Sequence, residues 1–234
     1  MMARRQWVSL GEVVLCSGFP SQLLLGLLAI RAGFSPGDQA TGLALPFVAA
    51  VALADTAVLA ALMAFFIRRR GDSVSAVYLG GRSTWREAAL GLLLVPLVLV
   101  FISTTIVVLG RVAPWLHTVP QNPFGLMAAT PEAAVLLAIV ALVAGGLREE
   151  LQRGFLLQRF KTDLGGLGVG LVLTSVTFGL GHVQQGWDAV IVTMSLGLFW
   201  ALLYVARSSI VAAVISHGLA NAIQVAVAYL QQTL

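Results

Sequence analysis

Glu149, Glu150, Arg153, His182 and His217 are ionisable side chains set among long apolar runs. A charge at the centre of a bilayer costs on the order of a few kcal/mol or more, so such groups persist where they pair, line a wet cavity, or do chemistry. The first constellation is Glu149-Glu150-Leu151-Gln152-Arg153. On a helix Glu149 stands i,i+4 and Glu150 i,i+3 from Arg153, so the guanidinium can hold either carboxylate, and the i,i+4 relation favours Glu149 as the fixed pair. Two adjacent carboxylates in a poorly hydrated place repel, which is one way a general base comes to be poised near neutral pH. The plain structural alternative is a solvated helix end with a routine ion pair.

The second constellation is Phe178-Gly179-Leu180-Gly181-His182, whose i,i+4 spacing puts Phe178 and His182 on one helix face. The third is His217-Gly218-Leu219-Ala220-Asn221, where His217 and Asn221 again share a face. Taken singly, either is explained by hydrogen bonding between helices. Together they supply a carboxylate, two imidazoles and an amide. Hydrolysis requires such a set, with a base for water and donors for a developing oxyanion. The remaining histidine, His117, reads as an ordinary loop residue.

The elements that position these residues follow from composition. Hydrophobic residues make up 59% of the chain and charged residues 10%, with a mean hydropathy of +0.93. A soluble domain carries roughly a quarter charged residues. The fold class is therefore all-α, a polytopic transmembrane helix bundle of about seven spans, each needing about 20 apolar residues. The spans read as 8–30 (interrupted by Glu12 and Pro20), 42–67 (containing Asp55), 88–110, 131–160, 166–182, 189–206 and 210–230. Pro131 followed by Glu132 suits the first turn of the fourth. Residues 1–130 form the N-terminal helices and 131–234 the helical core that carries the three constellations.

Alternating these spans puts Arg4, Arg5, Arg68, Arg69, Arg70, Arg82, Arg86, Arg159, Lys161 and Arg207 on one side, and only Arg31 and Arg111 on the other. The basic side is cytoplasmic. The N-terminus is thus cytoplasmic, in a multi-pass protein of a prokaryotic plasma membrane. The net charge of +4 does not indicate nucleic acid, because the charges sit at the ends of apolar runs and not in one patch. The single cysteine, Cys16, can form no intrachain disulfide. The N-terminal stretch resembles a signal peptide, but Glu12 interrupts it and no small-residue cleavage site closes it, so a retained span is expected. Gly165-Gly166-Leu167-Gly168-Val169-Gly170 lacks the strand that a dinucleotide loop requires, and reads as a tight turn leading into a close-packing helix face.

The three constellations, in this order, resemble the motifs of the CAAX-protease and bacteriocin-processing (ABI) family of intramembrane proteases. That family carries Glu-Glu-x-x-x-Arg, then Phe-x-x-x-His, then His-x-x-x-Asn. Phe178 with His182 and His217 with Asn221 match without adjustment, and the resemblance covers about residues 131–225. The first motif departs from the pattern, since Arg153 follows Glu150 by three positions where the family has four. Anchored on Arg153-Gly154, Glu149 is the second family glutamate and Arg148 replaces the first. Anchored on the glutamate pair, Glu149 is the first.

The resemblance implies an endopeptidase that hydrolyses a peptide bond of a membrane-associated protein or peptide. A glutamate of the first motif and His182 would hold and activate water. His217 and Asn221 would help hold it or stabilise the oxyanion, and Arg153 would orient the carboxylates. Two histidines and a glutamate also equal the ligand set of some zinc peptidases. With no His-Glu-x-x-His present, a metal-independent mechanism without cofactor is favoured over a metalloendopeptidase-like one. Two other classes stay open: an inert family member acting as a scaffold or bacteriocin-immunity protein, and a proton-coupled transporter relaying through Asp55, Glu149 and His182.

Overall fold

The structure, a computed structural model, describes residues 2–37 and 42–233, and among these all regular structure is helical. The elements are α1 (Met2–Leu15), α2 (Phe19–Arg31), α3 (Leu45–Arg69), α4 (Val74–Leu79), α5 (Thr84–Val112), α6 (Pro123–Leu126), α7 (Pro131–Val140), a π-helical segment (Ala141–Arg148), α8 (Glu149–Asp163), α9 (Leu167–Leu180), α10 (Trp187–Arg207) and α11 (Val211–Thr233). Five stretches are long and apolar enough to cross a membrane: Arg4–Arg31, Leu45–Arg69, Val74–Val112, Trp187–Arg207 and Val211–Thr233. This is a polytopic helical bundle. Trp85 and Trp115, both more than 70% exposed, flank the two ends of α5, as aromatic residues do at membrane–water interfaces.

Two expected spans differ from that set. The fourth is helical throughout 131–163, but its apolar part gives way to Arg148-Glu149-Glu150 through the π-helical segment. The fifth, α9, has 14 residues and so reaches only ~21 Å, against a hydrocarbon core of about 30 Å. The first span is also not one helix. Gly18 adopts φ 85° between α1 and α2, and Pro20 lies in the first turn of α2.

α1 turns its polar side inward. Ser9, Glu12 and Cys16 are buried, while Trp7, Val8, Leu10, Val14 and Leu15 are exposed. It runs antiparallel along α8, joined to it by polar contacts. Asp163 takes an ion pair from Arg5 and a hydrogen bond from Ser9, Arg159 pairs with Glu12 at 2.6 Å, and Gln152 Nε2 donates to Cys16 O at 2.7 Å. Arg70 at the end of α3 joins both acids, reaching Glu12 and Asp163. Polar groups that face inward on a lipid-exposed helix must find protein partners, and these do.

Close crossings bring the later helices together. A Cβ at Gly91 of α5 would lie 2.7 Å from Cβ of Ile215 in α11. A Cβ at Gly146 would lie 2.7 Å from Cα of Gly218. Without a hydrophobic force between helices in lipid, such small-residue contacts are what allow tight packing. The Gly165-Gly166 turn has both residues at positive φ, and Gly170 beyond it packs against Phe160, in line with the tight turn and close-packing face expected there.

Candidate active site in the helical core

The crossing of the π-helical segment with α11 decides the geometry of the site. A π turn widens the helix and shifts the angular position of the residues after it, and such turns are frequent at functional sites. It ends at Arg148, so Glu149 and Glu150 open α8 beside the Gly146–Gly218 contact. His217 lies next to Gly218 and meets both carboxylates. Its Nδ1 is 2.8 Å from Glu150 Oε1, and its Nε2 is 3.7 Å from Glu149 Oε2.

The two glutamates are therefore unlike. Glu150 is fully buried and also accepts from Arg153 Nη1. A carboxylate accepts only, so Nδ1 of His217 carries the proton and donates, leaving Nε2 directed away from Glu150. The side chain of Glu149 is 18% exposed and is held on one oxygen by Arg148 Nη2 at 3.1 Å. Its other oxygen lies too far from His217 Nε2 for a direct hydrogen bond, at a spacing that a shared third group can bridge.

An aromatic cage holds this arrangement. The Trp200 ring stacks on the His217 imidazole with centroids 3.7 Å apart and planes 16° apart. Trp200 Nε1 donates to Ser216 Oγ at 3.1 Å, which satisfies the indole within the buried core. Phe178 stands nearly perpendicular to the Trp200 and His217 rings, and the Arg153 guanidinium lies 4.7 Å from its ring centroid. Phe178 also meets His182, ring centroids 4.9 Å apart. His182 lies just past the end of α9, and its Nδ1 donates to the Phe178 carbonyl at 2.8 Å, leaving Nε2 as the free nitrogen of the neutral ring. Asn221 lies one turn beyond His217, its amide against Gly145, where a Cβ would come within 2.7 Å.

Residues 131–223 match the family described as type II CAAX prenyl endopeptidase, Rce1-like. The match covers the segment that carries all three constellations, and there the chain is similar to the Rce1-like family. Comparisons with curated proteins and with solved structures gave no match. The similarity is to a family of CAAX-protease-type hydrolases.

Within the Rce1-like core the structure joins Glu149, Glu150, Arg153, Phe178 and His217 in direct contact. His182 and Asn221 lie at its edges, His182 through Phe178 and Asn221 along α11. One expectation is corrected. Arg153 fixes Glu150, three residues before it, and not Glu149, four before it, because Glu150 is the carboxylate turned toward α11. His117 lies in an exposed loop, as expected, and its Nδ1 is 2.7 Å from Asp188 Oδ2 at the start of α10. Sequence reasoning missed Trp200, Ser216, Gly145, Gly146 and the link from Arg148 to Asp55. The signal for Trp200 was an indole N–H in the middle of an apolar span, where a donor must find a partner.

Nδ1 of His217 and the Glu150 carboxylate are committed to each other and to Arg153. Among the described residues no three His, Cys, Asp or Glu side chains are grouped to hold a metal ion.

Proposed function

We propose that the chain is an intramembrane endopeptidase in which Glu149 activates water against a peptide bond of a membrane-associated protein or peptide. The observation that carries this is the file Glu150–His217–Glu149, in which one carboxylate orients the imidazole and the other stays partly exposed. A water between Glu149 Oε2 and His217 Nε2 can bond to both. Glu149 accepts its proton as the water oxygen bonds to the scissile carbonyl carbon. Glu149 then returns that proton to the amide nitrogen as the C–N bond breaks. In this reading the unprotonated Nε2 of His182 accepts from the attacking water and helps hold it, and the Asn221 amide, a donor, is given the oxyanion.

Glu150 and Arg153 touch no reacting atom in this scheme and act by positioning. Their logic is that of a base oriented by a third group. The chemistry is assigned to side chains and water, with no cofactor. A cavity of about 670 Å³ supports an apolar, membrane-borne substrate. Leu147, Leu151, Val214 and Ile215, each within three residues of Glu150 or His217, line it together with Arg68 and Asp72. The substrate for which the family is named, a prenylated CAAX terminus, has the apolar tail such a cavity accommodates.

The test compares membrane peptidomes of cells expressing the wild-type chain, Glu149→Gln and His182→Ala. The expected result is one or more cleaved products that vanish in both variants while each still accumulates in the membrane. Products unchanged in both variants would remove the hydrolase reading and leave an inert scaffold.

A further inference from the structure

Arg148 lies between two carboxylates that come from different parts of the chain. Its Nη2 donates to Glu149 Oε1 and its Nη1 to Asp55 Oδ2, both at 3.1 Å. Asp55 is in the middle of α3, fully buried, in a helix outside the Rce1-like segment. Ser21 Oγ at 2.5 Å and Gln22 Nε2 at 3.1 Å, both on α2, also donate to Asp55. The turn at Gly18 brings α2 to this point. A Cβ at Gly18 would lie 3.3 Å from Arg148 Nη1 and 3.4 Å from Gln22 Nε2. The α1–α8 contacts through Asp163, Arg159 and Gln152 lead directly to it.

We propose that Asp55 is a positioning residue for Glu149, acting through Arg148. The inference rests on the hydrolytic reading of Glu149 and adds the device that keeps that carboxylate usable. A buried guanidinium with a single counter-charge holds it tightly. Shared between Asp55 and Glu149, it orients Glu149 by one oxygen without neutralising it. The charged groups around Glu149 are Arg148, Glu150 and His217 nearby, with Arg153 beyond Glu150 and Asp55 beyond Arg148. Only Asp55 comes from the N-terminal helices. This gives α1–α3 a place in the chemistry beyond filling the bundle.

Removing Asp55 and merely loosening the fold have opposite effects on Glu149. In Asp55→Asn, Arg148 keeps its charge and turns wholly to Glu149. A loosened site would instead release Glu149 to its surroundings. The experiment labels the detergent-solubilised full chain with dicyclohexylcarbodiimide, which attacks carboxyl groups in apolar surroundings, and follows Glu149 by peptide mass spectrometry. Labelling is expected to fall at least threefold in Asp55→Asn and to rise at least threefold in Arg148→Gln. Asp55→Glu is expected to stay within twofold of wild type. Unchanged or faster labelling of Glu149 in Asp55→Asn overturns the proposal.

A second arm measures cleavage of an internally quenched, farnesylated CAAX peptide and the midpoint of thermal unfolding. The doubly neutral Asp55→Asn/Arg148→Gln chain is expected to regain the unfolding midpoint lost by Asp55→Asn, while kcat stays at least tenfold below wild type with KM within twofold. Recovery of kcat along with the midpoint would reduce Asp55 to a structural counter-ion and overturn the proposal. Wild-type cleavage that Glu149→Gln does not reduce, or no wild-type cleavage, defeats the hydrolytic reading itself. The labelling arm still reports separately on the Asp55–Arg148–Glu149 linkage.

Discussion

Nδ1 of His217 lies 2.8 Å from Oε1 of Glu150, at the crossing where Gly146 meets Gly218. This contact ranks two adjacent glutamates that the sequence alone leaves nearly equivalent. Glu150→Gln keeps an acceptor for the imidazole but removes the counter-charge of buried Arg153. Breaking one side of a buried pair costs about 3–5 kcal/mol, so this variant should unfold markedly earlier. It should still cleave, at roughly a hundredth of the wild-type rate, a loss of about 2.7 kcal/mol of transition-state stabilisation. Glu149→Gln should unfold close to wild type and show no cleavage above background. A processing assay paired with thermal unfolding in detergent separates the two, and the reverse ranking of activities would refute the assignment of the base.

The Trp200–Ser216 hydrogen bond invites a double-mutant cycle. Both groups are buried, and the indole stacks on His217. Ser216→Ala leaves the indole N–H without its partner, a cost of about 1–3 kcal/mol. Trp200→Phe removes that donor while keeping an aromatic face against the imidazole. The double variant is therefore expected to be less destabilised than the sum of the single ones, with a coupling of at least about 0.5 kcal/mol. Strict additivity in unfolding midpoints would mean that the hydrogen bond contributes nothing to holding His217.

How much of this the sequence disclosed depends on which forces were local. Glu149, Glu150, His182 and His217 stand out because a charged or imidazole group is conspicuous in an apolar run, and their spacing on one helix is fixed by 3.6 residues per turn. The partner of Arg153 was not legible, since i,i+3 and i,i+4 are both within reach on one helix. The choice came from His217 on α11 and from the π-helical segment, whose extra width no periodicity announces. Asp55 was visible as a charge inside a span, but its partner lies 93 positions away in the chain. The expected first span missed the turn at Gly18, whose reason is tertiary, because it delivers Ser21 and Gln22 to Asp55.

The α1–α8 contacts make a prediction about acid. Burial works against the Asp163 charge, but hydrogen bonds from Ser9 and Arg70 and the charges of Arg70 and Arg5 outweigh it and hold the carboxyl below its ordinary range. A lowered carboxylate contributes stability above its unfolded pKa of about 3.9 and loses it as pH falls through the folded value. Hydrogen exchange of the α1 amides, corrected for intrinsic rate, should thus be constant from about pH 8 to 5 and accelerate only below about pH 4. Asp163→Asn should show the accelerated exchange already at neutral pH. Release of α1 between pH 8 and 5 in the wild type would show that another group governs its docking.

Topology is tested by the two ends of α10. Arg82 Nε donates to the carbonyl of Arg207 at one end, and His117 pairs with Asp188 at the other. With 21 residues α10 is ~31 Å long, enough to cross a hydrocarbon core of about 30 Å. Reporters fused after Arg82 and after His117 should therefore fall on opposite sides of the membrane. The basic residues give the sign. Arg82 and Arg207 meet at one end of α10, and Arg5, Arg70 and Arg159 gather where α1, α3 and α8 meet. Basic loops stay in the cytoplasm, which places the Arg82 reporter inside and the His117 reporter outside. Both reporters on one side would mean that α5 and α10 do not cross the bilayer. Opposite sides with the sign reversed would keep the bundle and invert it, placing the apolar cavity beside Glu150 toward the outer leaflet.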